Sequence, residues 1–297
     1  MAEAQSGLLS RIGDFAGKWG AYSALGSFVL YVFGYLALRF QLYTYGVTAN
    51  LDVFDERYLF AGCRFLVFVG MALPNILLLL AVVLLPLYGI FRLAPLTFRT
   101  QVRERAAAWI SRPYRLAVVS CVLSLLLIQL VLRQCLFLSN MLLREHPPDY
   151  WIGSVLLASD GAQALYFDGL VLGTGINIAL VAYVAHLPRP QGSLATAIIS
   201  LLVCLVAIEF LLLPVNYGIL IGSTWLPRIS QTEAQSKSST AANTWLVWES
   251  KETLTYFVCD HNTRSLLSIP RKDSRISIVG YDPIFQLVTK PPCSLPD

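Results

Sequence analysis

Charge is scarce in this chain. Asp, Glu, Lys and Arg make up only 13% of its residues, about half of the roughly 25% found in ordinary water-soluble domains. So few charges cannot cover the surface of a 297-residue globule, which excludes an exterior facing water on all sides. Histidine is nearly absent: His146, His186 and His261 stand far apart, with no HExxH frame, and the six cysteines form no CxxC or Cys/His spacing. Zinc and haem motifs are therefore missing. No acid/base pair stands at a catalytic spacing, so we expect a non-enzyme with no catalytic residues, no metal and no cofactor.

What the chain has instead is apolar length. Hydrophobic residues make up 56% of it and the mean hydropathy is +0.62. Five stretches reach the ~20 apolar residues that a ~30 Å hydrocarbon core requires, at about 20–40, 63–91, 115–138, 163–187 and 194–221. The second contains Pro74 and Asn75, and the fifth Pro214; proline inside a helix predicts a kink. The first stretch begins late and no small-residue cleavage site follows it, so it reads as an anchor and not as a removable signal peptide.

Basic residues set the expected orientation. The segment 92–115 holds Arg92, Arg99, Arg103, Arg105, Arg112 and Arg115 against the single acid Glu104, and the positive-inside rule places it in the cytoplasm. Alternation then puts the N-terminus inside, loops 41–62 and 139–162 outside, and the C-terminal segment outside. Two segments read as interfacial helices. Leu8, Leu9, Ile12, Phe15 and Trp19 recur at helical spacing near the start, as do Phe98, Val102, Ala106 and Trp109 in the basic loop. Arg99, Arg103, Arg105 and Arg112 would meet anionic lipid headgroups there. Topology accounts for these arginines without nucleic acid.

After Pro227 the composition changes. Residues 228–243 are polar and rich in Ser and Thr, as in a flexible linker. Beyond them TWLVWE, TLTYFVC, RSLLSI and RISIVGY are short β-branched and aromatic runs separated by polar turns, with FQLV as a further candidate strand. That pattern predicts an antiparallel meander. A module this small is marginal on its own core and needs support from the membrane domain, a partner or a staple. Cys259 and Cys293 would form that staple in an oxidising exterior, the alternative being two free thiols.

The expected fold is thus an all-α membrane bundle of five transmembrane helices, N-terminus inside and C-terminus outside, with a small C-terminal antiparallel β module. Its parts are an amphipathic helix over 1–19, the membrane domain over 20–227, the linker over 228–243 and the β module over 244–297.

Within the spans, Glu209, Arg133, Arg64 and Asp168 fall at similar depth. Glu209 lies ~22 Å along the fifth span and Arg133 ~27 Å along the third, at 1.5 Å per residue. An unpaired charge at such depth costs about 2.5–3.5 kcal/mol on insertion scales. Two readings follow: an interhelical ion pair of Glu209 with Arg133 or Arg64, or a polar cavity open to the outside. Asn75, Gln129 and Asn177 are secondary polar positions. Gly169 with Gly173, and Gly218 with Gly222, make two GxxxG spacings suited to close helix packing.

The functional expectation is a non-catalytic, multi-pass protein of a bacterial inner membrane, its module periplasmic or extracellular. It would act as scaffold, sensor or accessory subunit of a membrane complex. Its partners would be membrane lipids and other membrane or periplasmic subunits, or further copies of itself. The alternative is a small ion channel or transporter subunit with a polar site around Glu209.

Overall fold

The protein is described by a computed structural model over residues 2–47, 55–110, 113–144, 160–186, 193–220, 225–229, 243–260, 263–271, 276–284 and 287. Most of these residues are helical. The helices are α1 (Ala2–Tyr45), α2 (Glu56–Leu93), α3 (Leu96–Ile110), α4 (Pro113–Phe137), α5 (Asp160–His186) and α6 (Ser193–Leu220), with a 3-10 turn at Met141–Leu143 after α4. Five of the helices, all but α3, are long and apolar enough to cross a membrane.

The separate helix expected over 1–19 and the span expected over 20–40 are one uninterrupted helix of 44 residues. Nothing between them breaks a helix: no proline occurs before Pro74. α1 ends where Gly46 takes φ +84°, a left-handed conformation that glycine adopts without Cβ strain. Its N–H bonds back to the Tyr43 carbonyl at 3.1 Å and that of Val47 to Leu42 at 2.9 Å. α2 starts at an Asp55 N-cap, whose carboxylate accepts the Arg57 N–H at 3.0 Å. It carries Pro74 and Pro86 through 38 residues, about 57 Å at 1.5 Å per residue.

α1 packs on α2 and α6, α6 also on α4 and α5, and α2 on α5. The crossings of α1 are backbone to backbone. A Cβ on Gly34 would fall 1.6 Å from the Tyr58 carbonyl oxygen, one on Gly62 2.0 Å from that of Leu30, and one on Gly218 2.0 Å from that of Ala37. Only glycine lets the axes come this close. Phe33, Phe65, Phe68, Phe167 and Tyr217 fill the space between these helices, mostly edge to face with Phe68 and Tyr217 tilted, and with centroids 5.2–6.5 Å apart. Nearer the other end of α4 and α6, Ala117, Cys121, Leu202, Leu205 and Val206 form a second, smaller core.

The C-terminal sheet has five antiparallel strands in the order β4-β3-β2-β1-β5. They are β1 (Trp225–Ile229), β2 (Asn243–Glu249), β3 (Thr253–Asp260), β4 (Thr263–Pro270) and β5 (Ile278–Pro283). Strands β2 to β5 arise from the four β-rich runs. β1 is a strand the pattern did not mark: WLPRI holds a proline and comes soon after α6. It nevertheless lies inside the sheet, paired with both β2 and β5. The FQLV segment does not add a strand at Leu287, which is helical and buried; its other residues lie outside the described ones.

The sheet shares its core with the helices. Trp245, Phe257 and Leu226 pack in one cluster with Leu138, Met141, Leu142 and Leu220 at one end of the bundle. Arg57 at the start of α2 donates to the Glu249 carbonyl, and its guanidinium lies 5.6 Å from the Trp248 ring centre. Arg264 of β4 donates to the Arg144 carbonyl at 2.7 Å. A five-stranded sheet too small for a core of its own is thus completed by helix ends.

Candidate functional site

α6 turns Glu209 toward α4 and α5, where the side chain is 3% exposed. Asn177 of α5 faces it: the Asn177 Nδ2 donates to Glu209 Oε1 at 3.0 Å and Oε2 at 3.1 Å. The same nitrogen reaches Ser124 Oγ at 3.1 Å, and Ser120 Oγ donates to Asn177 Oδ1 at 2.7 Å. The Ser124 hydroxyl also bonds the Glu209 carboxyl. Ser120 and Ser124 stand four residues apart and so lie on one face of α4. Two helices, α4 and α5, therefore supply one buried, neutral shell around a carboxyl group carried by α6.

The expected ion pair is absent. Among the described residues the ion pairs are Arg57–Asp55, Arg228–Asp282 and Arg271–Glu249, none of which joins two spans. Arg64 and Arg133 are exposed, and Arg64 lies within electrostatic range of Tyr217. Asp168 is buried and hydrogen-bonded by the Asn75 side chain. Similar depth did not bring the four charges together, because depth leaves each residue's angle about its helix open. The acids turned inward to amides and the arginines outward.

Of the secondary positions, Asn75 and Asn177 are the partners of the two acids, while Gln129 is exposed. Gly173 abuts the Leu127 side chain, with a Cβ placed 2.7 Å from its Cδ1; Gly169 has nothing within 4 Å, so it makes no helix crossing. Gly222 lies outside the described residues. In α3, Arg99 Nε caps the end of α2 by donating to the Ala94 carbonyl at 2.8 Å; Arg103 and Arg105 are exposed, and Arg112 lies outside the described residues. Cys259 is disulfide-bonded, whereas Cys63, Cys121, Cys135 and Cys204 are free. Cys293 lies outside the described residues.

A second polar layer sits further along α4 and α6. Asn216 Nδ2 donates to Gln134 Oε1 at 2.6 Å, and both residues are buried. Gln134 Nε2 and Asn216 Oδ1, one donor and one acceptor, have no hydrogen-bond partner. Between the two layers is a recess lined by Leu127, Ile128, Val131, Leu170, Thr174, Glu209, Leu212 and Leu213, with room for about one water.

Sequence reasoning missed Ser120, Ser124, Gln134 and Asn216. The signal was present: Ser120, Ser124 and Gln134 project on one face of α4, and Asn216 follows Glu209 by two helical turns. No protein-family model, characterised protein or solved structure matches this chain.

Proposed function

We propose that the chain is a non-catalytic multi-pass protein of a bacterial inner membrane, a scaffold, sensor or accessory subunit that meets its partner through the β module. The observation that carries this reading is the core shared by sheet and helix ends, which would present the module as a fixed extension of the bundle. On β1, Leu226 faces that core, so Trp225 and Pro227 face the other way, opposite Pro283 and Tyr281 of the edge strand β5. Trp225, Val279 and Tyr281 are 53%, 60% and 60% exposed there, aromatic and apolar side chains of the kind enriched at interfaces. The basic residues of α3 lie at the end of α2 remote from the sheet, which fits an inside position for α3 and an outside position for the module.

Two measurements test the reading. In a variant lacking the exposed Cys63 and Cys204, an impermeant maleimide should label Thr240→Cys in intact cells and Ala107→Cys only after lysis. The reverse pattern overturns the orientation. Purification in mild detergent should retain a second membrane or periplasmic chain, or a second copy, and Tyr281→Lys should release it. A monomer under both conditions removes the subunit reading.

A second reading, a small ion channel or transporter subunit, is favoured by one observation: Glu209 is a buried carboxyl surrounded by neutral partners. Ionisable residues within membrane spans mark ion and proton pathways more often than they serve packing.

A further inference from the structure

We propose that Glu209 is a proton-binding site in exchange with the sheet end of the bundle, by way of the adjoining recess and the Gln134–Asn216 pair. The proposal rests on the channel or transporter reading and names its ion as the proton.

An ionised carboxylate at this depth needs its charge removed, since a bare charge among hydrocarbon is costly. With no arginine or lysine against Glu209, either a proton on the carboxyl or a metal cation beside it can do this. The surroundings favour the proton. The Asn177 amide presents its N–H donors to both carboxyl oxygens, and donors repel a cation. Metal ions also seek several oxygen ligands, whereas the recess beside Glu209 is walled mostly by Leu127, Ile128, Val131, Leu170, Leu212 and Leu213.

A proton suits the shell in both of its states. The Ser124 hydroxyl donates to the carboxylate, and by rotating it accepts from the carboxylic acid. Loading transfers one proton from a hydronium ion in the recess to a carboxyl oxygen: one O–H bond breaks, one forms, and water remains. Release is the reverse.

The route is marked by the orphaned atoms. Gln134 Nε2 and Asn216 Oδ1 are a buried donor and a buried acceptor without partners, and such atoms are normally satisfied by ordered water. They stand one turn beyond Val131 and Leu213, the recess walls, and two turns along α6 from Glu209, about 10 Å at 1.5 Å per residue. Water held in the recess and at this pair would link the carboxyl toward the sheet end. Other titratable or charged groups on the packed helices include Arg115, Cys121, Arg133 and Cys135 on α4, Tyr166, Asp168, Tyr183 and His186 on α5, Cys204 and Tyr217 on α6, Arg64 on α2, and Arg39 and Tyr45 on α1. Asn177 and Ser124, not these, hydrogen-bond Glu209.

Infrared spectroscopy of the full chain in phosphatidylcholine vesicles tests the site. A protonated-carboxyl C=O band should be present at acid pH and fade as pH rises, shift in D2O, and be missing in Glu209→Gln. Glu209→Asp, which keeps the acid, should move the band without abolishing it, and it serves if the Gln variant does not fold. The double variant Gln134→Leu/Asn216→Leu should keep the band but slow its deuterium shift by roughly tenfold, equivalent to about 1.4 kcal/mol on the barrier. A spectrum that Glu209→Gln and Glu209→Asp both leave unchanged overturns the proposal, as does an unslowed shift in the double variant. Ion flux measured on the same vesicles separates the two claims. Sodium or potassium flux without the band overturns the proton site and leaves the transport reading standing. An exchanging band without any flux supports the site and removes that reading.

Discussion

α6 belongs to two interfaces held together by different physics. Toward α1 it offers Gly218, whose Cα lies against the Ala37 carbonyl, and α1 meets α2 in the same way through Gly34 and Gly62. Toward α4 and α5 it offers Glu209 and Asn216, each hydrogen-bonded to a neighbouring helix. The first interface is close-packed backbone with aromatic fill. The second is spaced by side chains and joined by polar contacts. Close packing tolerates no added volume but carries no buried charge. A polar interface tolerates shape changes better, and suffers when one partner of a hydrogen bond is removed.

The largest expected effect breaks the dry interface. Gly62→Leu places a Cβ 2.0 Å from the Leu30 carbonyl oxygen, and since a backbone oxygen cannot move aside, the helices must separate. We expect a loss of about 3 kcal/mol or more, read as a lowered melting temperature in detergent. A variant as stable as the parent would mean that α1 and α2 do not cross here.

Next comes the polar interface. Asn177→Leu strips Glu209, Ser120 and Ser124 of a shared partner and should cost about 1–3 kcal/mol, the usual penalty for an unsatisfied buried group. Adding Glu209→Leu should recover part of that loss, because the double variant no longer buries an orphaned carboxyl. Strict additivity of the two changes would show that they do not touch.

A smaller effect is expected where bundle and sheet meet. Arg57→Ala removes the contact with Trp248 and the bond to the Glu249 carbonyl, worth about 1 kcal/mol together. Limited proteolysis should then cut the β module faster while the helices keep their melting temperature. The smallest effect sharpens the comparison by its near-absence. Gly169→Ala meets open space and should change stability by no more than about 1 kcal/mol, with any change favourable through helix propensity.

The GxxxG spacing pointed equally to Gly169, Gly173, Gly218 and Gly222, yet the closest crossings among the described residues are at Gly34, Gly62 and Gly218. Gly34 and Gly62 belong to no GxxxG pair, and helix-packing glycines need only a neighbour that approaches, which local sequence does not record. The site was legible in the same partial way. Glu209 stood out as an acid in an apolar run, and Asn177 as a polar residue in another. Serine inside a span is too common to draw notice, so Ser120 and Ser124 did not.

By itself the sequence determined the five long apolar helices, the polar break after them and four of the five strands. Each of these rests on a local cause: apolar runs of fixed length, prolines and caps, and alternating β-branched residues. The tertiary structure decided what faces what. Helix azimuth sent Arg64 and Arg133 outward while it brought Asn177, Ser124 and Glu209 together. Long-range pairing drew Trp225–Ile229 into the sheet despite its proline. Such outcomes depend on which surfaces meet across distant segments, and the free energy that selects among them is gained only once those surfaces are buried against each other.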